Sequence, residues 1–329
     1  MKTISFCKTF LIPVLIFLSA CSLPLKPDAE PTPVTVQLKW VHQAQFAGFY
    51  VAAEKGFYAE ENIDISIAPG GVGINILDEV SSGRAQFGVI GAEKVISARE
   101  NGALIKAIAV TYRRNPFVIV SLPESDITKP ADLIGKTANL GGIDGYSQFV
   151  AMMSRLNLDA NQVNIIPYTY DLQPFLNGQV DATPAIAAGS LLGIQKVRPD
   201  VNLIWAEDYG IHFYSDTIIT TDQLIADDPA LVERFVRATL KGHHYAIENP
   251  EEAVNISIKY AKDPDPDVQS RMMIASIPLI NTGEDQIGWM REEVWKSMQS
   301  VLYEQGLISK EVDPSEYFTM QFLEKLDDE

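Results

Sequence analysis

Between residues 34 and 220, short apolar runs alternate with helix-length segments, and that alternation restricts the chain to layered α/β architectures. The pattern predicts strands over 35–38, 63–67, 87–90, 105–111 and 117–121. Helices are predicted over 48–61, 74–82 and 92–101, the last stopped by Gly102. A second unit repeats the grammar: a strand over 137–140, the pair Gly141-Gly142, a helix over 146–156, a strand over 163–166 and a short helix over 172–177. The phrase Leu77…Ser82-Gly83-Arg84-Ala85-Gln86-Phe87 is echoed by Leu172…Asn177-Gly178-Gln179-Val180-Asp181-Ala182. Each reads as a helix closed by a glycine and followed by a strand, so two similar lobes are expected. From Asp222 onward the chain reads as helices over 229–249, 250–260, 265–274 and 288–305. Asp228-Pro229 and Asn249-Pro250 place a capping side chain ahead of a first-turn proline. The run Asp263-Pro264-Asp265-Pro266-Asp267 lacks the glycine and final Glu of a calcium loop and reads as a turn, so no metal is expected.

The N-terminus sets the compartment. Lys2 and Lys8 precede an apolar run over 10–18, too short to span a bilayer, and the segment ends in Leu18-Ser19-Ala20-Cys21. That ending resembles a bacterial lipobox, which implies cleavage after residue 20 and lipidation of Cys21. Residues 22–33, rich in Pro, Asp, Glu and Thr, have the composition of a tether that cannot pack. Cys7 and Cys21 are the two cysteines of the chain, so the mature body would hold no disulfide, no cysteine metal site and no thiol nucleophile.

Acidic residues outnumber basic ones, 43 to 26, and loss of Lys2 and Lys8 with the leader takes the formal charge from −17 to −19. Such a body repels nucleic acid and anionic lipid, which excludes nucleic-acid partners. The charge by itself serves solubility, and no oligomer is indicated: a monomer is expected.

The phrase Trp40-Val41-His42-Gln43-Ala44-Gln45-Phe46-Ala47-Gly48-Phe49-Tyr50-Val51-Ala52, followed by Glu54-Lys55-Gly56-Phe57-Tyr58, carries a family resemblance. Gly83-Arg84-Ala85-Gln86-Phe87-Gly88, residues 129–136 (KPADLIGK) and Gly178-Gln179-Val180-Asp181-Ala182 add to it. Over about 34–261 the chain resembles the periplasmic-binding-protein-like family of thiamine pyrimidine synthases and of binding proteins for sulfonates, thiamine pyrimidine precursors and riboflavin. The resemblance implies an α/β, two-lobed periplasmic binding protein (type II-like) with two crossover strands and a ligand cleft between the lobes. The expected division is a leader over 1–20, a tether over 21–33, lobe 1 over 34–120 and 217–329, and lobe 2 over 121–216. It further implies delivery of the ligand to the membrane permease of an ABC importer.

Candidate ligand-binding residues follow from position. Trp40, His42, Gln43, Gln45 and Phe46 lie between the first strand and the first helix, where helix N–H donors are free and clefts form. Glu93 follows a buried strand, and Tyr146 follows the glycine loop, which is no Walker loop because no Lys-Ser or Lys-Thr follows. Trp205, Tyr209, Tyr214 and Asp216 belong to the aromatic and acidic stretch before the return strand and are expected as a ligand wall. Arg113-Arg114, the dense basic pair, is expected to face solvent.

Enzyme chemistry is not indicated. The synthases of the resembled family use an active-site His where this chain reads Gly91-Ala92-Glu93-Lys94, and His243-His244 cannot form an i, i+4 zinc pair. No cofactor is expected. Aromatic faces with neutral and acidic partners suit a flat, nitrogen-rich ring. Riboflavin and the pyrimidine precursor of thiamine (hydroxymethylpyrimidine or formylaminopyrimidine) both fit. The Trp40–Phe46 phrase looks more like the riboflavin-binding lipoproteins. A sensory or adhesion lipoprotein that binds without transport is the reading from another class.

Overall fold

The computed structural model describes residues 30–142, 145–262 and 264–327. The leader, Cys21, most of the expected tether, Ile143-Asp144 and Asp263 lie outside the described residues. Everything below concerns the unit from Pro31 to Glu329.

Among the described residues, ten strands form two five-stranded sheets. The first holds β1 (Thr32–Gln37), β2 (Ile63–Ala68), β3 (Phe87–Ile90), β4 (Ile105–Val110) and β10 (Thr217–Thr221), in the order β2-β1-β3-β10-β4. The second holds β5 (Phe117–Ser121), β6 (Thr137–Gly141), β7 (Asn164–Pro167), β8 (Ala182–Ile186) and β9 (Asn202–Trp205), in the order β7-β6-β8-β5-β9. In each sheet the first three strands run parallel, the fourth is antiparallel, and the fifth pairs antiparallel to the fourth. The two halves thus share one topology. The echoed glycines occupy matching places: Gly83 (φ 76°) precedes β3 and Gly178 (φ 70°) precedes β8, the central strand of each sheet.

The chain crosses between sheets over 111–116 and again over 206–216. The crossings bond to each other: the Thr111 and Tyr112 amides donate to the Asp216 carbonyl (2.7 and 3.2 Å), and the Ser215 amide donates to that of Tyr112 (3.0 Å). Three sequence expectations need correction here. β5 belongs to the second sheet, so the first crossing falls before residue 117 rather than at 120. β1 begins at Thr32, with Thr32 and Pro33 paired to Ile63 and Asp64, so the end of the expected tether is strand. The helix expected over 48–61 breaks at Gly56 (φ 76°) into Ala47–Glu54 and Phe57–Glu60.

The C-terminal helices join both halves. Asp228 caps the helix Pro229–Glu248 by accepting from the Leu231 amide (2.9 Å), and Asp265 caps Pro266–Ile280. Asn249 instead turns back, its side-chain amide donating to the Tyr245 carbonyl (3.0 Å). Pro229–Glu248 lies on Ala47–Glu54 at very close range: a Cβ on Gly242 would stand 2.2 Å from the Gly48 carbonyl oxygen, and one on Gly48 would stand 2.3 Å from the His243 ring. His243 is buried beside that crossing. Its Nδ1–H donates to the Thr239 carbonyl (2.9 Å), and burial pushes the imidazole down to about 4. The helix Glu292–Glu304 carries Trp295, fully buried, stacked on Phe318 and edge-on to Tyr214. Just beyond it, the Gln305 amide donates to the Ser147 carbonyl of the second half (2.8 Å). Segments near Gly288 and Tyr317 bond the outer edge of β4 through Val110 and Ala107, covering an edge that would otherwise be free to pair. No helix among the described residues is long and apolar enough to cross a membrane.

Candidate functional site

Between the two sheets lies a cavity of about 460 Å³, within the range of small-molecule sites. It sits at the carboxyl ends of the parallel strands, as ligand crevices in open α/β sheets do. From the first sheet, the end of β1 supplies Lys39 and Trp40, and the end of β3 supplies Gly91, Glu93 and Lys94. From the second, Gly142, Gly145 and Gln148 follow β6, Tyr168 and Tyr170 follow β7, and Phe117 opens β5.

Two helices begin at the cavity, Ala92–Glu100 behind Gly91 and Tyr146–Arg155 behind Gly145, and neither has a side-chain cap. Both positive helix ends face the site, although the Lys94 amide donates to the Gly91 carbonyl (3.1 Å). Gly145 is required by packing, since a Cβ there would fall 2.2 Å from the Phe117 ring.

The floor is a continuous polar chain. Gln43 Nε2 donates to Gln45 Oε1 (2.6 Å), and Gln45 Nε2 donates to Asp216 Oδ2 (2.6 Å). Asp216 Oδ1 pairs with the Lys39 ammonium, which also reaches Ser215 Oγ (3.4 Å). Asp216 is 1% exposed, so both of its oxygens are consumed inside the protein. Trp40 is 37% exposed. Its backbone is set by the glycine loop after β2: the Gly70 amide donates to the Trp40 carbonyl (2.9 Å), and a Cβ on Gly70 would lie 2.2 Å from the Leu38 carbonyl oxygen.

Of the residues singled out from sequence, Trp40, Gln45 and Glu93 line the cavity, Gln43 is one hydrogen bond away, and Asp216 lies beneath Lys39 and Gln45. The others are placed elsewhere. The His42 ring meets the Tyr50 hydroxyl (Nδ1···O 3.0 Å) and packs near Tyr260, and burial lowers its pKa. Phe46 is core, and Tyr146 leans on Phe149 outside the cavity lining. Trp205 stacks under the Arg114 guanidinium (4.7 Å), Tyr209 packs on the main core, and Tyr214 is buried with its hydroxyl accepting from the Arg291 amide (2.9 Å). The aromatic stretch before the return strand is thus an inter-sheet packing segment matched to Trp295, and no wall of the cavity. Arg113 is buried as well, tied to Asp285 and Thr282, and does not face solvent.

Sequence reasoning missed Lys39, Lys94, Phe117, Gln148, Tyr168 and Tyr170. Tyr168 and Tyr170 stand just past the end of a parallel strand, the same rule that pointed to Trp40. Two lysines and two helix N-termini also mean that the site is less acidic than the net charge of the chain suggests.

The NMT1/THI5-like family model matches residues 43–253. The chain belongs to the NMT1/THI5-like family. It is 26% identical to the riboflavin-binding protein RibY of Chloroflexus aurantiacus, covering 94% of this chain and 95% of that protein. It is also 26% identical to the formylaminopyrimidine-binding protein of Halalkalibacterium halodurans, covering 75% of this chain and 76% of the relative. The periplasmic aliphatic sulphonate-binding protein SsuA of Escherichia coli superposes with a TM-score of 0.71 at 16% identity, over 88% of this chain and 92% of that one. The fold is accordingly that of a two-lobed periplasmic binding protein.

Proposed function

We propose that the protein binds riboflavin in the inter-sheet cleft and delivers it to the permease of an ABC importer. The observation that carries this reading is the pairing of aromatic faces from both halves, Trp40 on one side and Phe117, Tyr168 and Tyr170 on the other, around a polar floor. A fused aromatic ring slides between such faces and finds donors at the floor and at the helix ends. The likeness to RibY over almost the whole chain supports it. Two relatives named as binding proteins favour capture over catalysis. The pyrimidine precursor of thiamine is the second reading, favoured by the Glu93 carboxylate in the lining, a partner for a ring amine, and by the formylaminopyrimidine-binding relative.

Titration with riboflavin is expected to quench flavin fluorescence saturably, through electron transfer from the stacked rings. Trp40→Ala should weaken binding by about 1–3 kcal/mol, the usual worth of an aromatic stack, and leave the unliganded melting temperature nearly unchanged because the ring is already partly exposed. A variant that melts early yet binds normally would make Trp40 a packing residue. If riboflavin does not bind while formylaminopyrimidine raises the melting temperature, the second reading replaces the first.

We also propose that Cys21 is lipidated and tethers a monomeric protein outside the cell, supported by the Leu18-Ser19-Ala20-Cys21 sequence. Cys21→Ser should move the protein from the membrane to the soluble fraction; retention in the membrane after a salt wash would count against the anchor.

A further inference from the structure

Five glutamines are buried among the described residues, and four have their amides engaged by the protein. Gln37 donates to the Pro69 carbonyl, and Gln45 to Asp216. Gln269 accepts from the Ala44 amide, and Gln299 bonds both Val312 and Tyr317. Gln148 is the exception. It is 3% exposed and lines the cavity, and its side chain makes no hydrogen bond to any other described residue. Its amide atoms open onto the cleft, where water can satisfy them until a ligand takes its place, so the amide is free to pair with a ligand. The residue sits in the first turn of Tyr146–Arg155, where the N-cap Gly145 offers no side chain and the helix end is positive.

We propose that Gln148 is the specificity-determining contact from the second half of the cleft, its amide pairing with a ligand edge on which a hydrogen-bond donor and an acceptor sit side by side. A glutamine amide offers N–H and C=O in one plane, so a complementary edge engages both at once, while a group that only accepts leaves half of the amide unpaired. The uncapped helix end favours the ligand's carbonyl lying toward it. Resting on the flavin reading above, the edge is the imide of the isoalloxazine ring, where N3–H stands between two carbonyls. The same geometry fits the ring nitrogen and amine of an aminopyrimidine.

The test crosses two proteins with two ligands: wild type and Gln148→Met, each titrated with riboflavin and with N3-methylriboflavin, whose donor is blocked. Wild type should bind the methylated flavin at least tenfold more weakly. Gln148→Met should bind riboflavin about tenfold more weakly than wild type does, and should barely distinguish the two flavins. Its unliganded melting temperature should stay near that of wild type, because the amide opens onto the cleft and holds no other described residue. Equal binding of both flavins by wild type, or a methylation penalty that persists in the variant, overturns the role of Gln148 while leaving riboflavin as the ligand. A lower melting temperature with unchanged affinity also overturns it. If riboflavin does not bind wild type and formylaminopyrimidine does, the flavin reading fails alone. Gln148 then stands on a tenfold loss of that ligand in Gln148→Met, and falls if there is none.

Discussion

Gly242→Val is expected to destabilise the protein by about 3 kcal/mol or more, lowering the melting temperature by roughly 6 °C or more in a chain of this size. In an open helix the sign would be opposite for a small substitution, because glycine in a helix interior costs about 1 kcal/mol relative to alanine. Gly242 lies within Pro229–Glu248, where that helix crosses Ala47–Glu54. A Cβ there would meet the Gly48 carbonyl oxygen at 2.2 Å, the Ala52 Cβ at 2.7 Å and the Ala52 amide nitrogen at 2.9 Å. Two of these three atoms are backbone, so no rotamer change relieves the clash and the helices must separate. Separation also strips packing from Phe49 and His243, which meet edge to face beside the crossing. Gly193, in Ser190–Val197, is the control: a Cβ there meets nothing within 4 Å, so Gly193→Ala should stabilise by about 0.5–1 kcal/mol. Calorimetry on the three proteins checks the pair. If Gly242→Val melts with wild type, the close helix crossing is wrong.

Asp216→Ala is expected to cost about 2–4 kcal/mol and to weaken ligand binding as well. The carboxylate lies at the second crossing and accepts from Gln45 on one oxygen and from Lys39 on the other. Removing it leaves the Gln45 amide without its acceptor and the Lys39 ammonium with only the long bond to Ser215 Oγ (3.4 Å), with Lys39 only 27% exposed and Gln45 buried. The loss should be at the lower end of that range if the lysine swings into the water-filled cleft. Either way its position in the cleft changes, and ligand affinity should fall together with stability. Asp216→Asn keeps one acceptor and should be milder on both counts. Because the Asp216 carbonyl also joins the two crossings through Thr111 and Tyr112, a backbone role survives both substitutions. Denaturant unfolding and a riboflavin titration of the two variants separate these effects. A stability loss below about 1 kcal/mol for Asp216→Ala would show that the floor network carries little of the fold.

The strand and helix grammar was legible in the sequence because its signals are local. Buried strands such as Phe87–Ile90 read as apolar runs, Asp228-Pro229 marks a helix start through one capping bond, and Gly83 and Gly178 mark turns that need positive φ. The same local signals revealed that the two halves echo each other, and the Trp40–Tyr58 phrase pointed to the family. Trp40, Gln45 and Glu93 were found by one rule, that clefts gather at the carboxyl ends of strands. What only the tertiary structure decided is which side chains meet. Lys39 and Asp216 are 177 positions apart and become partners because the return strand β10 enters the first sheet beside β3, whose other neighbour is β1. Tyr214 looks like a ligand wall in sequence, yet it is core because Trp295, far along the chain, fills the space beside it. Gln148 reads as an ordinary first-turn residue until the fold shows that it lines the cavity with its amide bonded to no other described residue. Local pattern determines whether a residue is on a strand or a helix; burial and partnership depend on contacts between distant segments, and those exist only once the two sheets and the C-terminal helices have packed.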